Sequence, residues 1–177
     1  MGVRDRLIEQ VLVLRCQMGG TDAFAELFER YEKPLRYFVG RLLGDSEMTE
    51  DILQDIWLAV VRKIGTLENI DAFSMWLYKV ARNRVYKELR RKRRFTGLDE
   101  NIEAANSGQE SAFTVEDVGR VHKCLERLRP EHKEVLLLRF LEEMSYWQIS
   151  RVIDCNLGTV KSRIYYAKRA LKREMEE

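Results

Sequence analysis

The sequence predicts an all-α protein made of two small helical domains joined by an acidic flexible linker, and three observations carry that expectation. The 177 residues are 45% apolar and 34% charged with only 10 Gly and 2 Pro, a balance that suits a globular chain built mainly from helices. Apolar residues recur at steps of three and four on both sides of a single compositional break. In that break, residues 96–117, Asp99, Glu100, Glu103, Glu110, Glu116 and Asp117 face no base, and Gly97, Asn106, Ser107 and Gly108 interrupt any apolar period. The expected division is therefore 1–95, a linker at 96–117, and 118–177.

In the first module, Thr21 or Asp22 is placed to cap a helix carrying Phe24, Leu27, Phe28 and Tyr31 on one face. Pro34 lacks an amide hydrogen and crowds the preceding turn, so a kink or a fresh start is expected there. Leu35, Phe38, Val39 and Leu42 continue the stripe to Gly44, a C-terminal stop. Ile52, Ile56, Val60 and Ile64, flanked by Leu53, Trp57 and Val61, predict a broad buried face ending at Gly65. A last helix from near Asp71 carries Phe73, Trp76, Leu77, Val80 and Ala81, enough apolar surface for a helical core.

In the second module, Val118, Val121, Leu125 and Leu128 mark a helix that stops before Pro130, where a new helix starts and buries Val135, Leu138 and Leu141. Ser145 and Gln148 fit a capping box that opens a short helix through Ile149, Val152 and Ile153. Asp154, Cys155 and Asn156 interrupt it. A long final helix from about Leu157 or Gly158 turns Val160, Ile164, Ala167 and Leu171 inward.

Several function classes drop out on chemistry. Val11-Leu12-Val13-Leu14 is far short of the ~20 residues that cross a bilayer, and no small-residue cleavage site closes it, so no membrane insertion and a cytoplasmic location are expected. Cys16, Cys124 and Cys155 form no CxxC pair, and His122 with Cys124 lacks a second pair of ligands, so no metal and no cofactor are expected. No glycine-rich phosphate loop is present, and no nucleophile pattern lies near His122 or His132, which argues against an enzyme.

Charge distribution says more than the net +2. Residues 82–94 hold Arg82, Arg84, Lys87, Arg90, Arg91, Lys92, Arg93 and Arg94 against Glu88 alone, and residues 161–173 hold no acid. Lys79, Arg82, Asn83, Tyr86, Lys87 and Arg90 recur along one side of a helix whose other side is Leu77, Ala81, Val85 and Leu89. Cations interleaved with aromatics suit unstacked bases, each stacked base contributing about 1–3 kcal/mol; the competing reading is that Phe73, Trp76 and Tyr86 belong to the core. The short helix, turn and basic helix near the end describe a helix-turn-helix, with Thr159, Lys161, Ser162, Arg163 and Tyr166 at the start of the helix that can enter a major groove. A solvated face favoured by the helix dipole is the alternative. Asp51 and Asp55 stand four apart beside Gln54, a like-charge pair that costs an isolated helix about 0.2–0.5 kcal/mol. A basic protein partner would give that pair a purpose; acids favoured in a first turn explain it equally well.

Two stretches carry a family resemblance. Thr49-Glu50-Asp51-Ile52-Leu53-Gln54-Asp55-Ile56-Trp57 with Phe73-Ser74-Met75-Trp76-Leu77-Tyr78-Lys79-Val80-Ala81-Arg82-Asn83 resembles region 2 of extracytoplasmic-function sigma factors of bacterial RNA polymerase. Val135-Leu136-Leu137-Leu138-Arg139-Phe140, through Ser145-Tyr146, to Gly158-Thr159-Val160-Lys161-Ser162-Arg163-Ile164 resembles their region 4. With Asp22-Ala23-Phe24, the similarity covers nearly all of the chain outside the first 20 residues and the linker. The resemblance implies that Asp51, Gln54 and Asp55 dock on the core polymerase. It implies that residues 67–70, including Asn69, and the helix at 73–90, with Trp76, Lys79, Arg82, Asn83, Tyr86 and Arg90, recognise and open the −10 region as single-stranded DNA. Residues 159–166 would read the duplex −35 element, and an anti-sigma factor is an expected partner.

The chain departs from the family's usual pattern at Asp154, where many members have Gly, and at Asn156, where many have Pro or Ser. It departs again at Trp147, and at Tyr165 and Tyr166, which bear on −35 preference. The rival reading is a helix-turn-helix repressor or activator that needs no polymerase; it leaves Asp51, Gln54, Asp55 and the aromatic-basic helix without a task. The linker acids have two readings, a solvated tether or a mask lying against the basic helix.

Overall fold

The computed structural model describes residues 3–96 and 115–176, and over these, eight α-helices and three short helical turns follow one another with no strand. The chain divides into two compact units, one of residues 1–89 with 151–153 and the other of residues 90–150 with 154–177. The linker acids Asp99, Glu100, Glu103 and Glu110 lie outside the described residues.

The first unit opens with a helix that the apolar pattern did not resolve. α1 (Val3–Gln17) buries Leu12, Val13 and Cys16 yet leaves Leu7, Val11 and Leu14 exposed, so its apolar residues fall on two faces and no single 3.6-residue stripe emerges. Its buried face also carries Glu9, which accepts a hydrogen bond from the Tyr31 hydroxyl.

α2 (Thr21–Leu43) differs from expectation at both marked places. The N-cap position is Gly20, which has no side chain to cap the helix; Thr21 and Asp22 fall inside the first turn, where Asp22 pairs with Arg15. Pro34 lies inside one continuous helix. Buried Leu27 and Tyr31 before it and Leu35, Phe38 and Val39 after it fix both halves against the core, which outweighs a proline penalty of roughly 3 kcal/mol. The helix stops where expected, at Gly44, whose φ of 67° is the left-handed conformation that glycine adopts without strain.

α3 (Ser46–Lys63) is capped by Asp45, whose carboxylate accepts from the Met48 amide at 3.1 Å. Ile52, Leu53, Ile56, Trp57 and Val60 are buried, but Val61, expected inside, is 56% exposed. The buried face is narrower than the run of apolar residues. Two 3₁₀ turns, Ile64–Thr66 and Ile70–Ala72, lead into α4 (Phe73–Thr96). Phe73, Leu77, Tyr78, Ala81 and Val85 are buried, with the Phe38 and Tyr78 rings edge-to-face at 5.2 Å.

In the second unit, α5 (Val115–Arg127) starts three residues before the expected 118. α6 (Pro130–Leu136) has Pro130 in its first turn as expected, and passes into an unanticipated π-helical turn, Leu137–Leu141. The wider turn rotates Leu141 outward, so it is 47% exposed where burial was expected, while Val135 and Leu138 are buried. α7 (Tyr146–Ile153) has the full capping box, Ser145 accepting from the Gln148 amide and Gln148 accepting from the Ser145 amide. Asp154 turns the chain at φ 56°. α8 (Leu157–Glu176) packs on α5 and α6 through Val160, Ile164, Ala167 and Ala170; Leu171, expected inward, is half-buried.

Candidate functional site

Three exposed surfaces hold the residues singled out from the sequence. On α3, Asp51, Gln54 and Asp55 are all exposed, directly beside the buried row of Ile52, Leu53 and Ile56. Asp55 accepts from Arg84 of α4 at 3.0 Å, and Glu50 pairs with Arg36 of α2. The Arg84 contact offsets the like-charge strain between Asp51 and Asp55, although an exposed pair of this kind contributes no more than about 1 kcal/mol. Leu58 and Val61, 52% and 56% exposed, continue the same edge at three and six residues beyond Asp55. Sequence reading missed both as surface residues. The signal was available in the spacing, since Leu58 follows Asp51 by seven. An edge that is acidic at one end and apolar at the other offers a protein partner both charge complementarity and surface to bury.

The second surface belongs to α4 and the turns before it. Asn83 and Arg90 are exposed, and Trp76, Lys79, Arg82 and Tyr86 are half-buried. They occupy one side of α4, opposite the row of Leu77, Ala81 and Val85. Trp76 leans on buried Phe73 with ring centroids 5.9 Å apart, and the Arg82 guanidinium lies 4.6 Å from the centre of the Tyr86 ring. Trp76 and Tyr86 are thus half-buried and steadied by their neighbours, with Arg82 lying over one face of the Tyr86 ring, and aromatic rings among cations can stack a base. Asn69 is exposed, but its side-chain oxygen accepts from the Asp71 amide at 3.0 Å and caps the second 3₁₀ turn. That leaves its amide donors to meet a ligand.

The third surface is the start of α8. Asn156 is the cap: its side-chain oxygen accepts from the Thr159 amide at 2.8 Å and from the Thr159 hydroxyl at 3.1 Å. The Ser162 hydroxyl donates to the Thr159 carbonyl at 3.0 Å. Both hydroxyls expected to face a ligand thus already donate within the helix and are left mainly as acceptors. Gly158 leaves room for this cap, since a Cβ there would lie 3.2 Å from the Asn156 side-chain oxygen. Lys161 and Tyr166 are exposed, whereas Arg163 sits half-buried at the margin of the face. Burial lowers the His132 pKa, and Arg129 and Arg163 lower it further. Tyr165, noted in the sequence only as a departure from the family pattern and not among the −35 residues, is 55% exposed beside Tyr166, the two rings 5.3 Å apart. Its hydroxyl accepts from Arg169 at 3.3 Å, and its place four residues after Lys161 was the signal that could have found it.

Among the described residues, no cluster of His, Cys, Asp and Glu could hold a metal ion, and no helix is long and apolar enough to cross a membrane.

Comparison with known proteins adds the following. Residues 27–95 match the family described as Sigma-70 region 2, and residues 119–171 match Sigma-70, region 4. The chain is 30% identical to the ECF RNA polymerase sigma-E factor of Escherichia coli K12, over 97% of this chain and 96% of that protein. It is 29% identical to the RNA polymerase sigma-H factor of Pseudomonas aeruginosa, over 95% and 94% of the two chains. In fold it is similar to the sigma factor RpoE of Bartonella quintana, solved in complex with the anti-sigma factor NepR. That match has a TM-score of 0.69 and 23% identity, and covers 86% of this chain and 96% of that one.

Proposed function

The chain belongs to the extracytoplasmic-function sigma factors, and from that premise we propose how its three surfaces divide the work of starting transcription. A sigma factor binds core RNA polymerase and directs initiation at specific promoters; it is an initiation factor and not itself an enzyme. We assign residues 1–95 to polymerase docking and −10 opening, 96–117 to a linker, and 118–177 to −35 recognition. The chain works in the cytoplasm, where core polymerase and promoter DNA meet.

The observation that carries the assignment is the side of α4 that leaves Asn83 and Arg90 exposed and Trp76, Lys79 and Tyr86 half-buried while the opposite side is closed in the core. A strand being unpaired can use both, cations for its phosphates and rings for its bases, which gives this side of α4 a task that the helix-turn-helix repressor reading leaves unassigned. Docking is assigned to the α3 edge, Asp51, Gln54 and Asp55, extended by Leu58 and Val61. Reading of the −35 duplex is assigned to Lys161, Tyr165 and Tyr166, with Thr159, Ser162 and Arg163 supporting them. Tyrosines have an apolar ring edge for thymine methyl groups and a hydroxyl for phosphate or base acceptors, so a −35 sequence rich in thymine contacts is expected. Phosphodiester chemistry stays with the polymerase. The fold relative solved with an anti-sigma factor supports an inhibitor of that class as a further partner.

Run-off transcription with core polymerase on a promoter library tests the reading. A discrete set of transcripts that requires the chain, and that disappears with D51K/D55K, is the expected result. Tight binding to a palindromic duplex at physiological salt, with no promoter-specific transcript, would overturn it.

A further inference from the structure

We propose that Gln17, together with Gln10, is a positioning residue that sets the loop between Ile64 and Asp71 in the conformation that reads the −10 strand. This rests on the −10 role that the family resemblance implies for residues 67–70, within the module proposed above to open that region. Within the loop, the Thr66 hydroxyl donates to the Lys63 carbonyl and Asn69 accepts from the Asp71 amide, contacts that join only close neighbours in sequence. Ile64 is buried and Leu67 half-buried, but Gly65, Thr66, Glu68 and Asn69 are exposed, and only two single 3₁₀ turns bound it.

α1 supplies what the loop lacks. The Gln17 side-chain nitrogen donates to the Ile64 carbonyl at 3.0 Å and to the Leu67 carbonyl at 2.8 Å. Both donors of one amide thus close on two carbonyls three residues apart, the same pair joined by the Leu67 amide donating to the Ile64 carbonyl at 3.2 Å. At the far end, the Gln10 amide donates to the carboxylate of Asp71, the residue whose own amide is held by Asn69. Gln10 and Gln17 stand two helical turns apart, about 10.5 Å along the axis. Held at those two points, the loop has its length set by a rigid helix, and Asn69 is presented between the fixed ends.

Pre-organisation of this kind acts on selectivity. If the loop is ordered before DNA arrives, the energy of capturing the correct base is not spent on ordering it, and a wrong base cannot recruit an alternative loop shape. A latch that merely stabilised the unit would instead weaken all functions together.

The test uses the full chain in holoenzyme with a promoter selected by run-off transcription, and single-stranded oligonucleotides of its −10 sequence in which each base is replaced in turn. Q17L, which removes both donors, and Q10A, a change at a half-buried position that removes the Asp71 contact, are each expected to reduce discrimination between preferred and replaced −10 bases about tenfold. Core affinity and −35 discrimination should stay within about twofold. Q17K, whose ammonium can still donate to both carbonyls, should restore selectivity. Unchanged −10 discrimination in both Q17L and Q10A, or an equal loss at −35 and −10, overturns the proposal. N69A and W76A separate the two levels of the argument. If they shift −10 preference while the glutamine variants do not, positioning alone is wrong; if they shift nothing, the reading of the loop fails and the positioning role falls with it.

Discussion

Glu9 and Tyr31 show how a single buried pair ties stability to pH. Burial raises the Glu9 pKa above its ordinary 4.5, against the lowering effect of the Tyr31 hydroxyl and of Arg30 and Arg6. The folded state therefore holds the proton more tightly than the unfolded chain, and stability contributed by this group falls as pH rises from about 4.5 through the folded value. Urea unfolding at several pH values should show this slope flattened in E9Q, with the variant gaining on the parent as pH rises; an unaltered slope would contradict it. His132 has the opposite sense. Its pKa is lowered from 6.5 by burial and by Arg129, so the folded state prefers it neutral, and stability is lost as pH falls through the unfolded value. Acidification to about pH 5 thus favours the buried group of the first unit and penalises that of the second.

At the scale of elements, the two ends of recognition face different demands. On α8 the cap is local, so N156A should cost about 1 kcal/mol of second-unit stability, read by thermal unfolding. On α3 the exposed edge contributes nothing to the core, so L58E and V61E should leave the melting temperature unchanged while weakening binding to core polymerase by roughly tenfold or more. A lower melting temperature would show that these side chains pack after all. The sequence was most informative where one periodicity governs. The Ser145 capping box, the Gly44 stop and the buried row of α4 follow from local rules. It was least informative where tertiary packing decides. Pro34 stays inside α2 because core contacts bracket it, and Leu141 is turned out by a π-helical turn that no propensity announces. α1 escaped notice because two apolar faces cancel each other's pattern, and with it went Gln10 and Gln17, whose roles depend on residues about 50–60 positions away.

Across the whole molecule, the chain folds as two units, and the stretch 96–117, proposed above as the linker, carries acids without a single base. Read as a tether, this stretch predicts that changing Asp99, Glu100, Glu103 and Glu110 to their amides leaves free-chain DNA affinity and its salt slope unchanged in titrations at several ionic strengths. A rise in both would show that the acids mask the basic helix instead. The two units were legible from composition alone, because a charge-sorted break is visible in any window; which residues of α3, α4 and α8 serve as surfaces needed the family pattern as well. The three tryptophans add an optical consequence. Trp57 is closed in the first unit between Phe24 and Phe28, Trp76 is half-buried on the side of α4 proposed to capture a strand, and Trp147 of α7 is 56% exposed. The protein thus carries three built-in fluorophores in unlike surroundings, and single-tryptophan versions would let core unfolding, base stacking and partner contact be followed by emission colour and quenching, without an attached dye.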